Sequence, residues 1–359
     1  MRIAVNTGGG DAPGLNAVIR AVVLAAHHRG WQTYGIQRGY DGLLTFQGVV
    51  HLDPDDVRGI TSQGGTILGT TNRGNPFRSV ATAADGTTHE VDRSDELLAA
   101  FRASGFEALV AIGGDGSLQI AAGLAAKGLP VVCVPKTIDN DVAATEQTFG
   151  FDTAVNIATD AIDKLHSTAA SHQRVMVVEL MGRDTGWIAL HSGISGTADV
   201  ILIPEIPFDI EKVCDKIRDR DATGKHFSIV VVAEGARPVD GDVELLERRG
   251  AGTVDRLGGI GSKVAHLIAE RVDKEVRSLV LGHLQRGGSP TTYDRLLGLR
   301  FGAAAVRAVA DGDFGTMVAL KGTEIVRVRL ADAVGHEKLV PPDSDILITA
   351  RELGISLGD

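Results

Sequence analysis

Short, uninterrupted apolar runs alternate with helix-like stretches from the first residue onward, and this alternation constrains the fold more than any single motif. "RIAVNT" precedes "PGLNAVIRAVVLAAHHRG", which has apolar residues at helical spacing, Pro13 among its first residues and Gly30 as its close. "FEALVAIGG" leads into "SLQIAAGLAAKG", and "LPVVCVP" leads into a turn. "WQTYGIQ", "QRVMVVELMG", "ADVILIP", "FSIVVVAEG" and "VRSLVLGHLQRGG" extend the series. Continuous Val/Ile/Leu runs between helices mark parallel strands covered on both faces. The expectation is therefore an α/β chain, doubly wound around a mainly parallel sheet. At 359 residues it is long for one domain and comfortable for two. Polar "SVATAADGTTHEVDRSDE" reads as a surface excursion, and the charged, glycine-broken stretch 237–259 as a loose insert.

Charge and cysteine content narrow the function classes. A formal charge of -10 argues against sequence-independent nucleic-acid binding, and it obliges any anionic substrate to find a local positive pocket. Cys133 and Cys214 stand singly, which fits a reducing, cytoplasmic compartment. The N-terminus enters a strand at once, without the apolar core of a signal peptide. No apolar run approaches the ~20 residues of a membrane span. The expectation is a cytoplasmic protein with neither nucleic acid nor membrane as a partner.

Two glycine-rich turns follow strand-like runs. "NTGGGDAPG" departs from the dinucleotide fingerprint, because Pro13 stands at the third glycine, and from the P-loop, because no Gly-Lys-Ser/Thr follows. It remains a strand–turn–helix junction that gathers backbone N–H groups suited to phosphate, although a tight turn with no ligand explains it about as well. In "AIGGDGS", Gly113, Gly114 and Gly116 allow close backbone approach, and Asp115 offers a carboxylate in the same turn. That combination suits Mg²⁺, which binds one or two carboxylates together with substrate oxygens. Asp115 as a plain helix cap is the competing explanation.

In "PKTIDND", Asp139 and Asp141 follow a strand at the end where α/β sheets bind ligands. An exposed Asx turn would look the same. Arg174 and Arg183 bracket the strand "VMVVEL", while Arg277, His283 and Arg286 lie around another. Arginine suits bidentate phosphate recognition. Several arginines beside glycine turns and a carboxylate pair favour phosphoryl transfer over scattered surface ion pairs.

With these motifs assembled, the chain resembles the 6-phosphofructokinase family. "TGGGDAPGLNAVIR", "GYDGL", "GGTILGT", "IGGDGS", "PKTIDND", "SHQRVMVVELMGR" and "VLGHLQRGGSPTTYDR" look like the family's blocks in order, covering residue 3 to about residue 300. The resemblance implies two doubly wound, mainly parallel domains with the active site in the cleft between them. Residues 1–149 with 286–336 would form the larger, nucleotide-binding domain. Residues 150–285 with 337–359 would form the smaller, sugar-phosphate-binding domain.

It also implies roles. Gly9, Arg73, Gly114, Asp115, Gly116 and Ser117 would contact ATP, with Asp115 on Mg²⁺. Thr137, Asp139 and Arg183 would be catalytic, Asp139 as the general base for the 1-hydroxyl, with Asp141 in support. Thr137, Asp139, Met181, Gly182, Arg183, Glu234, His283 and Arg286 would hold fructose 6-phosphate. Arg174 and Arg277 would reach the neighbouring site in a homo-oligomer, either dimer or tetramer.

The donor markers conflict. Within the family, Gly at both 116 and 136 resembles ATP users, whereas Asp at the first and Lys at the second resemble pyrophosphate users. This chain carries Gly116 and Lys136. An Asp at 116 would occupy and repel the nucleotide's phosphates, whereas Lys136 need not exclude ATP, so ATP is the expected donor and pyrophosphate the alternative. Of the bacterial effector residues, Arg20, Lys225 and Asp199 look retained, while Leu24, His166 and the region of His226 depart. A kinase of the NAD or lipid type with its "GGDG" turn, and a sugar-phosphate-binding subunit without chemistry, are the remaining readings. Sedoheptulose 7-phosphate fits as an additional acceptor.

Overall fold

The computed structural model describes residues 1–45, 48–71, 74–82, 87–247 and 256–359. The chain forms two compact units: residues 1–137, 141–152 and 286–337, and residues 138–140, 153–285 and 338–359.

The first unit is built on strands β1 (Arg2–Thr7), β2 (Gln32–Ile36), β3 (Val49–Leu52), β6 (Ala108–Gly113), β7 (Val131–Thr137), β8 (Phe149–Gly150), β15 (Thr316–Lys321) and β16 (Glu324–Arg329). They form an eight-stranded sheet in the order β16-β15-β7-β6-β1-β2-β3, with β8 beside β7. β3 and β16 join antiparallel at the two edges, and the other pairings are parallel. Side chains alternate between faces, as the two-residue period of a strand requires. Ile3, Val5, Val110, Ile112, Val132 and Val134 meet helices α1 (Leu15–His27) and α9 (Thr292–Ala310) on one face. Ala4, Leu109, Ala111, Val131 and Cys133 meet α3 (Ser94–Ala103) and α4 (Asp115–Ala126) on the other, while the short α2 (Asp41–Leu44) packs against α3. Each fully buried Leu, Ile or Val side chain stabilises this arrangement by ~1.5–3 kcal/mol.

α1 starts at Leu15, two residues beyond Pro13, because Gly14 turns the chain with φ 106° and caps the helix. A β-carbon at Gly14 would lie 2.9 Å from the Phe149 ring, so no other residue fits there without movement. Within the polar excursion, β4 (Ser79–Thr82) pairs antiparallel with β5 (Thr88–Val91).

The second unit carries β9 (Val175–Leu180), β10 (Val200–Leu202), β11 (Ser228–Ala233) and β14 (Val276–Val280), all parallel, in the order β10-β11-β9-β14. Helices α7 (Ile210–Ala222) and α8 (Ile260–Ala269) bury Val213, Ile217, Ile260, Val264 and Ile268 against Val175, Val177, Val230 and Val232. The long α5 (Phe151–His172) leads into β9, and α6 (Trp187–Ser195) follows it. At Gly193 of α6 a β-carbon would approach Ile201 to 2.6 Å, which shows how closely that helix lies on the sheet. The insert contributes a short antiparallel pair, β12 (Leu245–Glu247) with β13 (Arg256–Leu257). After α10 (Asp345–Glu352), Ser356 bridges Val200 and extends the sheet edge.

β14 differs from its sequence reading. Its apolar run suggests a strand covered on both faces, yet it is an edge strand with exposed positions, Val280 being 49% accessible.

Candidate active site

In the first unit the chain runs outward from β1 to β3, then returns so that β6 lies on the other side of β1. The carboxyl ends of β1 and β6 therefore flank the point where strand order reverses, the usual ligand crevice of an open α/β sheet. Both glycine turns lie there. The Gly8 N–H donates to the Ile112 carbonyl at 2.9 Å, joining the two turns. Side chains are excluded at the contact, since a β-carbon at Gly113 would sit 2.2 Å from Ser117 Cβ.

Lys136, at the end of the neighbouring β7, extends its ammonium into the same place. Its Nζ donates to the Gly10 carbonyl, and it would lie 3.4 Å from a β-carbon at Gly9 and 4.0 Å from one at Gly114. Lys136 is 3% exposed, so its charge stands between the two turns with little water. Arg286 adds a second cation from the far end of this unit's chain. Its Nη1 donates to the Asp11 carbonyl at 3.1 Å and faces Gly10. Two cations thus stand beside the glycine turns.

Asp115 occupies the first turn of α4 and is not its cap; Gly114 holds that position. A carboxylate there is favoured by the helix dipole. Gln119 donates to Asp115 Oδ2 at 2.7 Å and orients it. Among the described residues no three His, Cys, Asp or Glu side chains cluster as a metal site. Mg²⁺ fits this donor set, because it takes one or two carboxylates and completes its shell with phosphate oxygens and water. A β-carbon at Gly116 would meet nothing within 4 Å, so the space beside Asp115 is open. Gly9 is held against the 70–71 segment, its N–H donating to the Thr71 carbonyl and its own carbonyl accepting Thr70 Oγ1. Arg73 lies outside the described residues.

The second unit gathers Met181, Gly182, Arg183 and Glu234 at the carboxyl ends of β9 and β11. The Met181 N–H donates to Gln285 Oε1 at 2.8 Å, and the Arg183 N–H to Glu234 Oε1 at 3.1 Å. Arg183 adopts φ 52° and Gly182 φ 150°, a sharp turn that presents this short segment. The Arg183 guanidinium is 44% exposed and paired with Asp184. Burial, then the charge of Asp139, pushes the Glu234 carboxyl up to about 7. Its neighbour Glu179 on β9 adds to the shift and accepts the N–H groups of Gly259 and Gly261, capping α8. His283 follows β14 in the short turn Gly282–Arg286.

Asp139 belongs to this second unit and is 6% exposed. The Thr185 hydroxyl lies 3.1 Å from its carbonyl and 3.1 Å from that of Gly182, tying the aspartate segment to the arginine turn. Thr137 and Asp141 fall in the first unit and are also buried, with the Thr137 carbonyl accepting Thr148 Oγ1 at 2.9 Å.

Arg174 and Arg277 stand apart. Both flank the starts of parallel partners β9 and β14 and share Glu275, whereas Arg183 follows the end of β9. Six strand residues separate the two ends by ~20 Å. Asp199, expected among effector residues, is engaged inside the second unit: Arg220 Nη1 lies 2.6 Å away and the Ile229 N–H donates to it. His166 is likewise occupied by the Gly196 carbonyl and Thr197. Thr185 and Glu179 were not singled out by the sequence. Their partners across the fold lie 46–82 residues away, and no local spacing marks such contacts.

A sequence profile described as Phosphofructokinase matches residues 2–309. Across 363 aligned positions the chain is 55% identical to the ATP-dependent 6-phosphofructokinase of Chloroflexus aurantiacus, covering 100% of this chain and 98% of that protein. It is also 53% identical over 349 positions to the pyrophosphate--fructose 6-phosphate 1-phosphotransferase of Amycolatopsis methanolica, covering 96% of this chain and 97% of the relative. Among solved structures it superimposes on Pichia pastoris phosphofructokinase in the T-state with TM-score 0.78 and 32% identity, covering 92% of this chain and 35% of that longer one. The chain belongs to the phosphofructokinase family.

Proposed function

We propose that this protein transfers the terminal phosphoryl group of ATP to the 1-hydroxyl of fructose 6-phosphate, giving fructose 1,6-bisphosphate and ADP in glycolysis. The observation that carries the donor assignment is the open space at Gly116, beside Asp115 and at the start of α4. The close similarity to an ATP-dependent enzyme along the full chain supports the same reading.

The first unit holds the nucleotide. Gly9, Gly114, Gly116 and Ser117 offer backbone and hydroxyl donors to its phosphates, and Arg73 belongs to the same group. Asp115 is the residue that would hold Mg²⁺. When bound, the ion supplies charge neutralisation on the phosphate oxygens. Fructose 6-phosphate is the ligand assigned to Met181, Gly182, Arg183, Glu234 and His283, and the same role is assigned to Thr137 and Arg286.

Asp139 takes the 1-hydroxyl proton as the hydroxyl oxygen bonds to phosphorus and the bond to the ADP oxygen breaks. Such base catalysis contributes ~10²–10⁴-fold. Arg183 and the backbone donors stabilise charge on the group in transit. Arg174 and Arg277 serve the neighbouring subunit of a homo-oligomer, since their end of β9 is remote from Arg183. The buried free cysteines and the charge fit a cytoplasmic enzyme, and among the described residues no helix is long and apolar enough to cross a membrane.

Pyrophosphate as donor is the second reading. Lys136 favours it, because its ammonium lies between the two glycine turns where a small phosphate would bind.

The decisive variant for the chemistry is Asp139→Asn. It should lower kcat by ~10²–10⁴-fold with ATP affinity, measured by calorimetry, retained. Full activity in that variant would rule out Asp139 as the base.

A further inference from the structure

We propose that Lys338 is a positioning residue for Asp139, acting through the side chain of Asn140; this rests on the reading of Asp139 as the base. Lys338 Nζ donates to Asn140 Oδ1 at 2.8 Å across 198 residues of chain. Asn140 is 4% exposed and adopts φ 55°, a left-handed conformation that asparagine tolerates but does not prefer. Thr185 at the Asp139 carbonyl and Lys338 at the next side chain both hold segment 138–140. Without the second hold, Asn140 can relax toward the right-handed basin. That rotation turns the peptide joining it to Asp139 and moves the carboxylate. A displacement of about 1 Å at such a group costs on the order of 10²-fold in rate.

The arm that carries Lys338 docks by other groups. Its carbonyl accepts the Trp187 indole N–H at 2.7 Å. The Val340 N–H donates to Glu205 Oε1 at 2.9 Å, and the same oxygen accepts the Gly186 N–H at 3.1 Å. The ammonium stands 5.7 Å from the Trp187 ring centre, held over its face. Two backbone groups thus anchor the arm, leaving the lysine head to hold Asn140. Methionine at 338 keeps the apolar stem while removing the donor.

The test is a double-mutant cycle on Lys338→Met and Asn140→Gly, with Lys338→Arg as the conservative rescue. Glycine at 140 accepts φ 55° without strain and removes the handle. Each single variant should lose on the order of 10²-fold in kcat, with KM for fructose 6-phosphate little changed. The double variant should be no worse than the worse single, because both remove one interaction. Lys338→Arg should recover most of the loss. Hydrogen exchange of the Trp187 indole N–H should be as slow in Lys338→Met as in wild type, since its acceptor is the Lys338 backbone carbonyl.

Unchanged kcat in Lys338→Met, multiplicative losses in the double variant, failure of arginine to rescue, or faster exchange of the Trp187 indole N–H would each overturn the proposal. Full activity in Asp139→Asn would instead overturn the base assignment beneath it.

Discussion

Glu234 accepts the backbone N–H of Arg183 at 3.1 Å while burial and the nearby Asp139 carboxylate oppose its ionisation, leaving a carboxyl that titrates at about 7. Its ordinary value is 4.5, so between these limits the folded chain binds a proton that the unfolded chain has released. The contribution to stability is complete below about pH 4.5 and is lost as pH rises through about 7. Glu234→Gln keeps the acceptor for Arg183 and removes this slope. Thermal melts should show its loss of stability from acidic to alkaline pH narrower than wild type. Above about pH 7, where the carboxyl is ionised, the same variant should raise KM for fructose 6-phosphate roughly tenfold, the cost of a charge-assisted bond to a sugar hydroxyl.

Gly116 separates the two donors. Because nothing lies within 4 Å of a β-carbon there, Gly116→Asp should fold with an unchanged melting temperature. An acid early in α4 also suits the helix dipole. Its charge would oppose the nucleotide phosphates, and kcat/KM for ATP should fall by ~10²-fold, since like-charge juxtaposition costs several kcal/mol. Initial rates at varied ATP measure the change. A loss confined to fructose 6-phosphate would place the nucleotide elsewhere.

Arg174 and Arg277 share Glu275 at the end of β9 remote from Arg183. If they complete a neighbour's site, Arg277→Ala and Asp139→Asn, each nearly inactive alone, should regain activity when unfolded together and co-refolded. Hybrid oligomers would then contain sites intact in both contributions. No regain, with hybrids detected by native mass spectrometry, would show that each chain serves only itself.

The legibility of these features follows the range of the forces behind them. β6, β7 and β11 announce themselves because strands buried on both faces must be apolar throughout. The glycine turns are legible for a related reason, since their small residues sit at the ends of those runs. β14 shows where such reading stops: its apolar run is the same whether helices or another surface face it, and the sheet places it at an edge. The β15–β16 hairpin, marked only by "KGTE", passed without notice. Lys136 stands out in the sequence only as a donor marker, because its convergence on Gly9 and Gly114 needs three adjacent strands, which only the sheet order supplies.

Asp199 and Arg220 form a pair with side chains only 11% and 16% exposed, and burial raises the Asp199 carboxyl despite the cation beside it. Removing one partner strands the other charge. Asp199→Ala should destabilise the chain by about 3 kcal/mol in chemical denaturation, with the active-site constants little altered. A variant as stable as wild type would mean that water reaches the pair.

The central claim, that ATP is the phosphoryl donor despite Lys136, is tested most directly by initial rates on fructose 6-phosphate with Mg²⁺, comparing ATP with pyrophosphate in wild type and Lys136→Gly. Turnover with ATP and none with pyrophosphate, in both proteins, is the predicted result and leaves Gly116 as the determinant. A faster rate with pyrophosphate that disappears in Lys136→Gly would contradict it and make the lysine the residue that chooses the substrate.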